Sequence, residues 1–132
     1  DRESMKIPQN QIDLLNALYE VNKNIVAILS CGSAIEIPWI GKVKGLLHSY
    51  LSGQAGAKAV LRVLSGKVNP SGKLAETYPL KYEDTPSLKF FPGKEVTVEY
   101  REGIYIGYRY YDTANIDVLF RFGYRLSYTT FD

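Results

Sequence analysis

The segment 63–74, VLSGKVNPSGKL, constrains the fold more than any other part of this sequence, because it combines a helix end, a turn and a strand start. Gly66 stands where the residue after a helix often adopts the left-handed conformation, and Pro70 follows too closely for the helix to continue. Residues 69–72 are all turn formers. We therefore predict a helix that ends before Gly66 and a strand over Lys73–Tyr78.

The chain before this turn has the pattern of alternating helices and strands. From Asn10 onward, apolar residues recur at helical spacing, so we predict a helix capped by Asn10 and closed by the polar residues 22–24. The run Ile25–Leu29 is continuously apolar, as in a strand that is buried on both faces of a parallel sheet. The predicted elements that follow are a short helical turn over Pro38–Lys42, a strand over Gly45–Leu51 and a helix over Gln54–Leu64 capped by Ser52.

This order of elements predicts the class of fold. Strands that alternate with helices are joined by right-handed crossovers and pair in parallel. We therefore expect an α/β fold, a three-layer sandwich in which a mainly parallel sheet carries helices on both faces. The predicted α/β part covers residues 1–79 of a single domain that spans residues 1–132.

Residues 80–132 differ in character from the part before them. The segment Lys81–Glu95 is polar and is interrupted by two prolines, so we predict an irregular surface loop of the kind that serves a partner or a site. The segments Glu99–Tyr111 and Val118–Phe131 are crowded with tyrosine and phenylalanine, which favours extended structure. We therefore expect a long loop followed by an aromatic-rich tail of the same domain.

Composition narrows the classes of function. A net charge of +2, without a run of five like charges, argues against a nucleic-acid or acidic-membrane partner. The single cysteine excludes an intrachain disulfide framework and a multi-thiolate metal site. No apolar run is long enough to span a bilayer. The polar start is unlike a signal peptide, which together with the single cysteine favours the cytoplasm but leaves the compartment open. The start without methionine and the abrupt end suggest a longer parent polypeptide.

Carboxylates are the first candidates for chemistry. Glu99 and Glu102 flank a tyrosine and an arginine, but residues three apart on a strand point to opposite faces, so the two could act together only at a bulge. We interpret them as solvent-facing or ion-paired. Glu36 follows the first predicted strand, at the edge of a parallel sheet where ligands gather, and it is therefore a better candidate than Glu76.

The candidate nucleophiles and metal ligands have no stronger support from the sequence than the carboxylates have. Cys31 has no histidine close to it in the sequence, which favours a small packed side chain. His48 is the only histidine and lies among apolar residues of a predicted strand, so a structural role is favoured over a metal site. Ser33 lacks the G-x-S-x-G context of a nucleophile elbow. The sequence thus offers no catalytic, cofactor-binding or metal-binding residue.

Two further patterns invite a binding interpretation. The loop Gly53-Gln54-Ala55-Gly56 joins a strand to a helix, but it has two of the three glycines of a dinucleotide fingerprint, so close packing of strand and helix is favoured over anion binding. The tyrosines could stack on sugars or on nucleic-acid bases. Because the sequence has no stripe of basic residues, nucleic-acid binding has little support. Core and inter-domain packing suits them better, because a buried tyrosine ring can still satisfy its hydroxyl at a wet boundary.

At this point five motifs, in order along nearly the whole chain, resemble one family. They resemble the second, C-terminal domain of glycoside hydrolase family three, the β-glucosidase type. The motifs are Asp1-Arg2 with Ile7-Pro8, CGSAIEIPW at 31–39, VLSGKVNPSGKL at 63–74, YREGIYIGYRYYD at 100–112 and LFRFGYRLSYTTFD at 119–132.

Three positions depart from the family pattern. Arg125 stands where the family has glycine, Arg121 stands where it often has proline, and Ala34 replaces the usual proline. A family glycine often means positive φ or a close backbone approach, so Arg125 raises a question about the local turn.

The resemblance implies a function for the parent protein. Family members are retaining, exo-acting glycosidases that use two carboxylates about 5 Å apart. Their nucleophilic aspartate comes from a (β/α) barrel domain, and the acid/base glutamate commonly precedes the Asp-Arg motif. We therefore expect that the barrel is absent here and that the isolated chain is inactive.

The role expected of this chain follows from the same resemblance. It forms one wall of the cleft and docks the barrel domain of the same parent chain, and the substrate is a glycoside of terminal β-linked glucose, xylose or N-acetylglucosamine. Neither an organic cofactor nor a metal is expected. An apolar face left by the missing barrel could drive self-association. The alternatives are a stand-alone carbohydrate-binding or interaction module that uses the tyrosines and, with less support, a small nucleotide-binding protein.

Overall fold

The computed structural model describes residues 4–93 and 96–130. Helices and strands alternate through the first part of the chain, as predicted. The helices are α1 (Gln9–Val21), α2 (Gly56–Leu64) and α3 (Tyr108–Ala114), the strands are β1 (Val26–Leu29), β2 (Gly45–His48), β3 (Tyr78–Pro79) and β4 (Val118–Phe120), and short 3₁₀ turns cover Ile40–Lys42 and Tyr82–Asp84.

The chain divides into two compact units that are interleaved in sequence. One unit comprises the chain up to Ile7 together with Ala34–Pro38 and Leu74–Gly123. The other comprises Pro8–Ser33, Trp39–Lys73 and the chain from Tyr124 onward. We call them unit 1 and unit 2. The expected division at residue 79 into an α/β part and a tail stays a prediction.

Helix α1 confirms the predicted periodicity but not the predicted cap. The helix begins at Gln9, directly after Pro8, with no side-chain cap, so Asn10 lies inside the first turn. Proline fixes φ near the helical value, and here it sets the start of the helix instead of a capping side chain. The predicted end is confirmed, because the Asn22 amide donates to the Leu18 carbonyl and the Asn22 side chain accepts from the Asn24 amide at 2.8 Å.

Strands β1 and β2 confirm the predicted parallel pairing. Their register places Val26 opposite Gly45 and Leu29 opposite His48. Burial of β1 on both faces is wrong for this chain, since Val26 and Ile28 are 52% and 45% exposed while Leu29 is buried. Alternate residues of a strand point to opposite faces, so the face of Val26 and Ile28 is the one left largely uncovered.

Helix α2 ends as the sequence predicts but starts differently. The helix stops at Leu64 and Gly66 has a φ of +72°, which confirms the left-handed turn. Ser52 does not cap the helix, which starts at Gly56 without a side-chain cap. Instead, the Ser52 side chain lies so close to Gly56 that an added Cβ there would be 2.5 Å from it. Glycine at position 56 is therefore required by packing.

The strand predicted over Lys73–Tyr78 is largely wrong. Only Tyr78–Pro79 is a strand, and it pairs antiparallel with β4 through Tyr78 and Phe120. Before it, the Leu74 carbonyl accepts one hydrogen bond from the Gly123 amide at 2.9 Å. The α/β class is confirmed, with one small parallel sheet in unit 2 and one small antiparallel sheet in unit 1. A partner some forty residues away decided the pairing, as tertiary contacts often do for strands.

The aromatic-rich segments are extended only in part. Residues 81–93 form the predicted irregular loop, apart from the 3₁₀ turn, and β4 confirms extended structure within Val118–Phe131, whose last residue lies outside the described residues. Residues 108–114 are helical, which corrects the extended prediction there. Gly107 (φ +55°) and left-handed Asn115 (φ +52°) bound this helix, so local turn residues prevailed over the β-preference of tyrosine.

Each unit buries its own small set of side chains. In unit 1 the buried apolar residues are Ala34, Ile35, Ile37, Tyr78 and Tyr111, and in unit 2 they are Leu29 and Trp39. Tyr78 is the most enclosed large side chain, at 1% exposure, and its ring meets Phe120 edge to face at 5.9 Å. The core of unit 1 therefore centres on residues that are far apart in the sequence.

Candidate functional site

Glu99 and Glu102 each have separate contacts in the structure. Glu99 Oε2 lies 2.5 Å from Arg101 Nε in an exposed ion pair, and the Arg101 guanidinium lies over the Phe90 ring at 5.1 Å. The Glu102 carbonyl accepts from the Tyr105 amide at 3.0 Å in a turn. The ion-paired interpretation of Glu99 is confirmed. An exposed ion pair of this kind contributes little to stability.

Glu36 is placed in unit 1 as an anchor for the loop that follows β3. Its side chain is half-buried, and Oε1 accepts a hydrogen bond from the Tyr82 amide at 2.9 Å. The Glu36 amide donates to the Met5 carbonyl at 2.8 Å. The Glu36 carboxylate thus accepts a hydrogen bond from the first residue of a 3₁₀ turn, and this structural contact explains the position of the Glu36 side chain. Glu76 is half-buried. Burial is the largest cause that raises the pKa of Tyr111, and the negative charge of Glu76 contributes to the same shift.

Cys31 and His48 are brought together, which the sequence interpretation missed. His48 Nε2 lies 3.4 Å from Cys31 Sγ and 2.9 Å from the Cys31 carbonyl oxygen, and the imidazole stacks on the Tyr50 ring at 3.7 Å. A carbonyl oxygen only accepts, so Nε2 carries the proton when it makes this hydrogen bond, and it is then no base for the thiol. The parallel register of β1 and β2 was the signal that could have found this contact.

The loop residues Ser33 and Gly53–Gly56 show the geometry of packing. Gly53 has a φ of +63°, and the Gly56 amide is already engaged by the Gly53 carbonyl at 3.2 Å. The positive φ of Gly53 and the contact between the Ser52 side chain and Gly56 account for these glycines within the loop itself. Close packing of strand and helix stays a prediction. Ser33 is a half-buried loop residue.

The arginine that replaces a family glycine causes no strain. Gly123 has a φ of +77°, whereas Arg125 is absent from the described residues with positive φ. The Arg125 guanidinium reaches the Ser71 carbonyl at 3.5 Å. The question that the sequence raised about this turn is therefore answered by Gly123, which takes the left-handed conformation two residues earlier.

A shallow cavity of about 120 Å³ lies in unit 1. It is bordered by Thr77, Tyr108, Tyr111, Asp112, Val118, Arg121 and Phe122. The Thr77 hydroxyl is fully enclosed and has no hydrogen-bond partner among the described residues. Because that oxygen is shielded from a molecule even as small as water, the cavity does not present it to a ligand. A buried hydroxyl without a partner instead costs stability.

Replacing Thr77 with valine is expected to stabilise the chain by about 1 kcal/mol, because valine keeps the branched shape and removes the unpaired hydroxyl. Urea denaturation measures the change in the free energy of unfolding. Thr113→Val, at an exposed position of α3, is the matched control and is expected to change it by less than about 0.5 kcal/mol. A clear loss of stability in Thr77→Val would mean that the hydroxyl is hydrogen-bonded in solution.

Two further kinds of feature are absent from the part of the chain that the structure describes. Within residues 4–93 and 96–130 no three histidine, cysteine, aspartate or glutamate side chains are grouped so that they could hold a metal ion. None of the helices in the same ranges has the length and apolar character that crossing a bilayer requires.

Comparisons with known proteins show the relationships of this chain. Residues 1–108 match the family model described as "Glycosyl hydrolase family 3 C-terminal domain". The chain is 55% identical over its whole length to thermostable beta-glucosidase B of Acetivibrio thermocellus, and 47% identical to an exo-alpha-(1->6)-L-arabinopyranosidase of Bifidobacterium breve. A crystal structure of a Bifidobacterium adolescentis GH3 beta-glucosidase superposes on 98% of the chain with a TM-score of 0.94 at 51% identity, and the aligned part is 19% of that protein.

The matches define an α/β domain of a glycosidase family. The chain belongs to the glycosyl hydrolase family 3 C-terminal domain family, which confirms the resemblance inferred from its motifs. It spans 18% of the length of each of the two enzymes it was compared with above. Most of the length of such enzymes therefore corresponds to nothing in this chain.

Proposed function

We propose that this chain is part of a retaining, exo-acting β-glycosidase, in which it forms one wall of the cleft and docks a catalytic (β/α) barrel. The proposal rests on one observation: nearly the whole chain matches 18% to 19% of the length of enzymes that are named beta-glucosidases. A segment that aligns end to end with one part of a larger enzyme is expected to have the role of that part.

The state of the carboxylates supports a catalytic centre that is supplied by other parts of the parent. A retaining glycosidase needs a nucleophile and an acid/base about 5 Å apart across the scissile bond. Glu99 is ion-paired at the surface and Glu36 holds a backbone amide, so neither is offered to a sugar with a second carboxylate beside it. The nucleophilic aspartate is then assigned to the barrel, and the acid/base glutamate to a segment outside this chain.

Exposed apolar side chains support a docking role. On α1, Leu14, Leu18 and Val21 are 60%, 46% and 82% exposed, and no residue of this helix is buried. On β1, Val26 and Ile28 are also exposed. Contiguous apolar surface on a soluble domain usually marks an interaction site, and here the rest of the parent chain is the proposed occupant. Self-association of the isolated chain through such surface stays a prediction.

The relatives differ in the substrate that their names state, which bears on sugar specificity. One is named a beta-glucosidase and another an exo-alpha-(1->6)-L-arabinopyranosidase, although both match this chain over its whole length. We infer that the choice of sugar is made outside this domain. The proposed substrate class is therefore a terminal glycoside, with β-glucoside as the first to test.

One observation favours the alternative of a carbohydrate-binding module. Tyr100, Tyr105 and Tyr108 are 88%, 49% and 45% exposed, as in a platform on which sugar rings stack. In this alternative the isolated chain binds glucose or cellobiose saturably without hydrolysing either. Loss of that binding in Tyr100→Ala would support the platform.

Hydrolysis of a nitrophenyl β-glucoside tests the main proposal. We expect no activity from the isolated chain, activity from the full-length parent, and recovered activity when the chain is mixed with a separately produced fragment that contains the barrel. Hydrolysis by the isolated chain would overturn the assignment of the carboxylates and direct attention to Glu36, Glu99 and Glu102. A full-length parent that cleaves no terminal glycoside would overturn the proposal itself.

A further inference from the structure

One side chain, Asn69, connects the turn after α2 to a distant part of unit 2. Its Nδ2 donates to the Thr129 hydroxyl at 2.6 Å. Its Oδ1 accepts from the Ser127 hydroxyl at 3.0 Å and from the Tyr128 amide at 2.8 Å. The side-chain amide of Asn69 thus uses both its donor and its acceptor, and its partners are the three consecutive residues 127–129. We call residues 125–129 the strap.

Two further hydrogen bonds hold the strap at its sides. The Tyr128 hydroxyl donates to the Val63 carbonyl at 3.0 Å, in the last turn of α2. The Arg125 guanidinium donates to the Ser71 carbonyl at a longer 3.5 Å. Within the described residues, Asn69 therefore makes three of the five hydrogen bonds that attach the strap to the end of α2 and the turn after it.

Burial adds little to this attachment. Leu126 and Tyr128, the two large apolar side chains of the strap, are 74% and 57% exposed. Segments with few buried apolar contacts and solvent-exposed hydrogen bonds are those that open locally, without unfolding of the rest. The hydrogen bonds of Asn69 are therefore the main interactions that keep the strap attached.

We propose that Asn69 is a latch: it holds the strap on the C-terminal end of α2, and it sets the equilibrium of a local opening in which residues 125–129 detach while α1, β1 and β2 stay folded. The opening removes the Tyr128 hydroxyl from the Val63 carbonyl, which keeps its hydrogen bond from the Gly66 amide, and it releases the Asn69 side chain. The proposal concerns a conformational device of the domain and is independent of the function proposed above.

Pro70, the residue after Asn69, protects the Asn69 side chain from deamidation. Loss of a side-chain amide from asparagine usually begins when the backbone nitrogen of the next residue attacks the side-chain carbonyl and ammonia leaves. The next residue here is Pro70, whose nitrogen carries no hydrogen and cannot close that ring to a neutral imide. The donor to Thr129 is thereby kept, whereas an aspartate at this position would retain only the acceptors.

Hydrogen exchange followed by mass spectrometry, on the full-length protein that carries this chain, tests the latch. In Asn69→Ala we expect the amides of Tyr128 and Thr129 to exchange at least tenfold faster, because the Tyr128 amide loses its acceptor and the Thr129 amide donates to the Ser127 hydroxyl that Asn69 holds in place. The amides of α1 and β1 are expected to exchange at the wild-type rate. Unchanged exchange in the strap would overturn the latch, and equal acceleration in the strap, α1 and β1 would overturn the local opening.

Matched variants separate the latch from a general effect of substitution. Asn69→Asp keeps both acceptor contacts and loses only the donor to Thr129, so its acceleration is expected to lie between those of wild type and Asn69→Ala. Thr129→Ala removes that same contact from the strap side and leaves the turn sequence intact; it is expected to resemble Asn69→Asp. Asn10→Ala, at an exposed position of α1, is the control and is expected to leave strap exchange unchanged.

Discussion

Replacing Tyr78 with alanine is expected to reduce the free energy of unfolding by about 3 to 5 kcal/mol, the range measured when a large buried aromatic side chain is truncated. Tyr78 is 1% exposed, its ring contacts Phe120 edge to face, and its backbone pairs with β4. The substitution leaves a void at the point where both strands of the small antiparallel sheet meet the core of unit 1. Urea denaturation of the purified chain, followed by circular dichroism, measures the loss.

Tyr100→Ala is the matched control for this prediction. It removes the same side chain at a position that is 88% exposed, so the expected change is within about 0.5 kcal/mol. If both variants lost the same amount of stability, tyrosine content and not the enclosure of Tyr78 would be responsible, and our account of the unit 1 core would be wrong.

Tyr111 is expected to make the chain lose stability at alkaline pH. Burial raises the pKa of Tyr111 from 10.0 to about 12, with smaller contributions from Asp84, Tyr110 and Glu76. The unfolded chain therefore releases this proton at lower pH than the folded chain does. Below pH 10 the contribution of Tyr111 is fully present, and it is lost as the pH rises from about 10 through about 12, by about 2 kcal/mol in total.

Tyr111→Phe removes the titrating group and keeps the ring, so it isolates this contribution. We expect the stability of wild type to fall more steeply than that of Tyr111→Phe between pH 10 and 12, as measured by urea denaturation at a series of pH values. Tyr100→Phe, at the exposed position, is the control and is expected to parallel wild type. Parallel curves for wild type and Tyr111→Phe would show that Tyr111 ionises alike in the folded and unfolded chain.

Local signals in the sequence predicted helices α1 and α2 and the parallel pairing of β1 with β2. Gly66 and Asn22 end their helices where the pattern placed the ends, because the conformation of a helix terminus depends on a few adjacent residues. The paired apolar runs of β1 and β2 likewise needed no distant information. The family motifs predicted the domain, and the comparisons confirmed it.

Two other features were predicted wrongly, the first because its partner is remote in the sequence and the second because of the composition of its segment. The strand at Tyr78–Pro79 forms where Phe120 and Val118 offer an antiparallel edge, which no property of residues 73–78 shows. Helix α3 forms from a tyrosine-rich segment because Gly107 and Asn115 bound it, and the composition of the segment hid those two signals. Sequence alone therefore placed the tyrosines in extended structure.

The candidate site shows the same limit. The contact between Cys31 and His48 follows from strand register, so it becomes visible only after β1 and β2 are aligned. The role of Glu36 depends on one hydrogen bond, and that of Asn69 on three, to residues more than forty positions away. Side chains of this kind look like loop polar residues in the sequence, and only the fold shows what they hold.

The interleaving of the two units has a consequence for synthesis on the ribosome. The buried residues Ile35 and Ile37 emerge early, whereas Tyr78 and Tyr111, which complete the core of the same unit, emerge much later. At about 5 to 20 residues per second, the nascent chain exposes these isoleucines for several seconds before their unit can close. Chaperones that bind nascent apolar segments would find their target in the stretch that leads into Trp39.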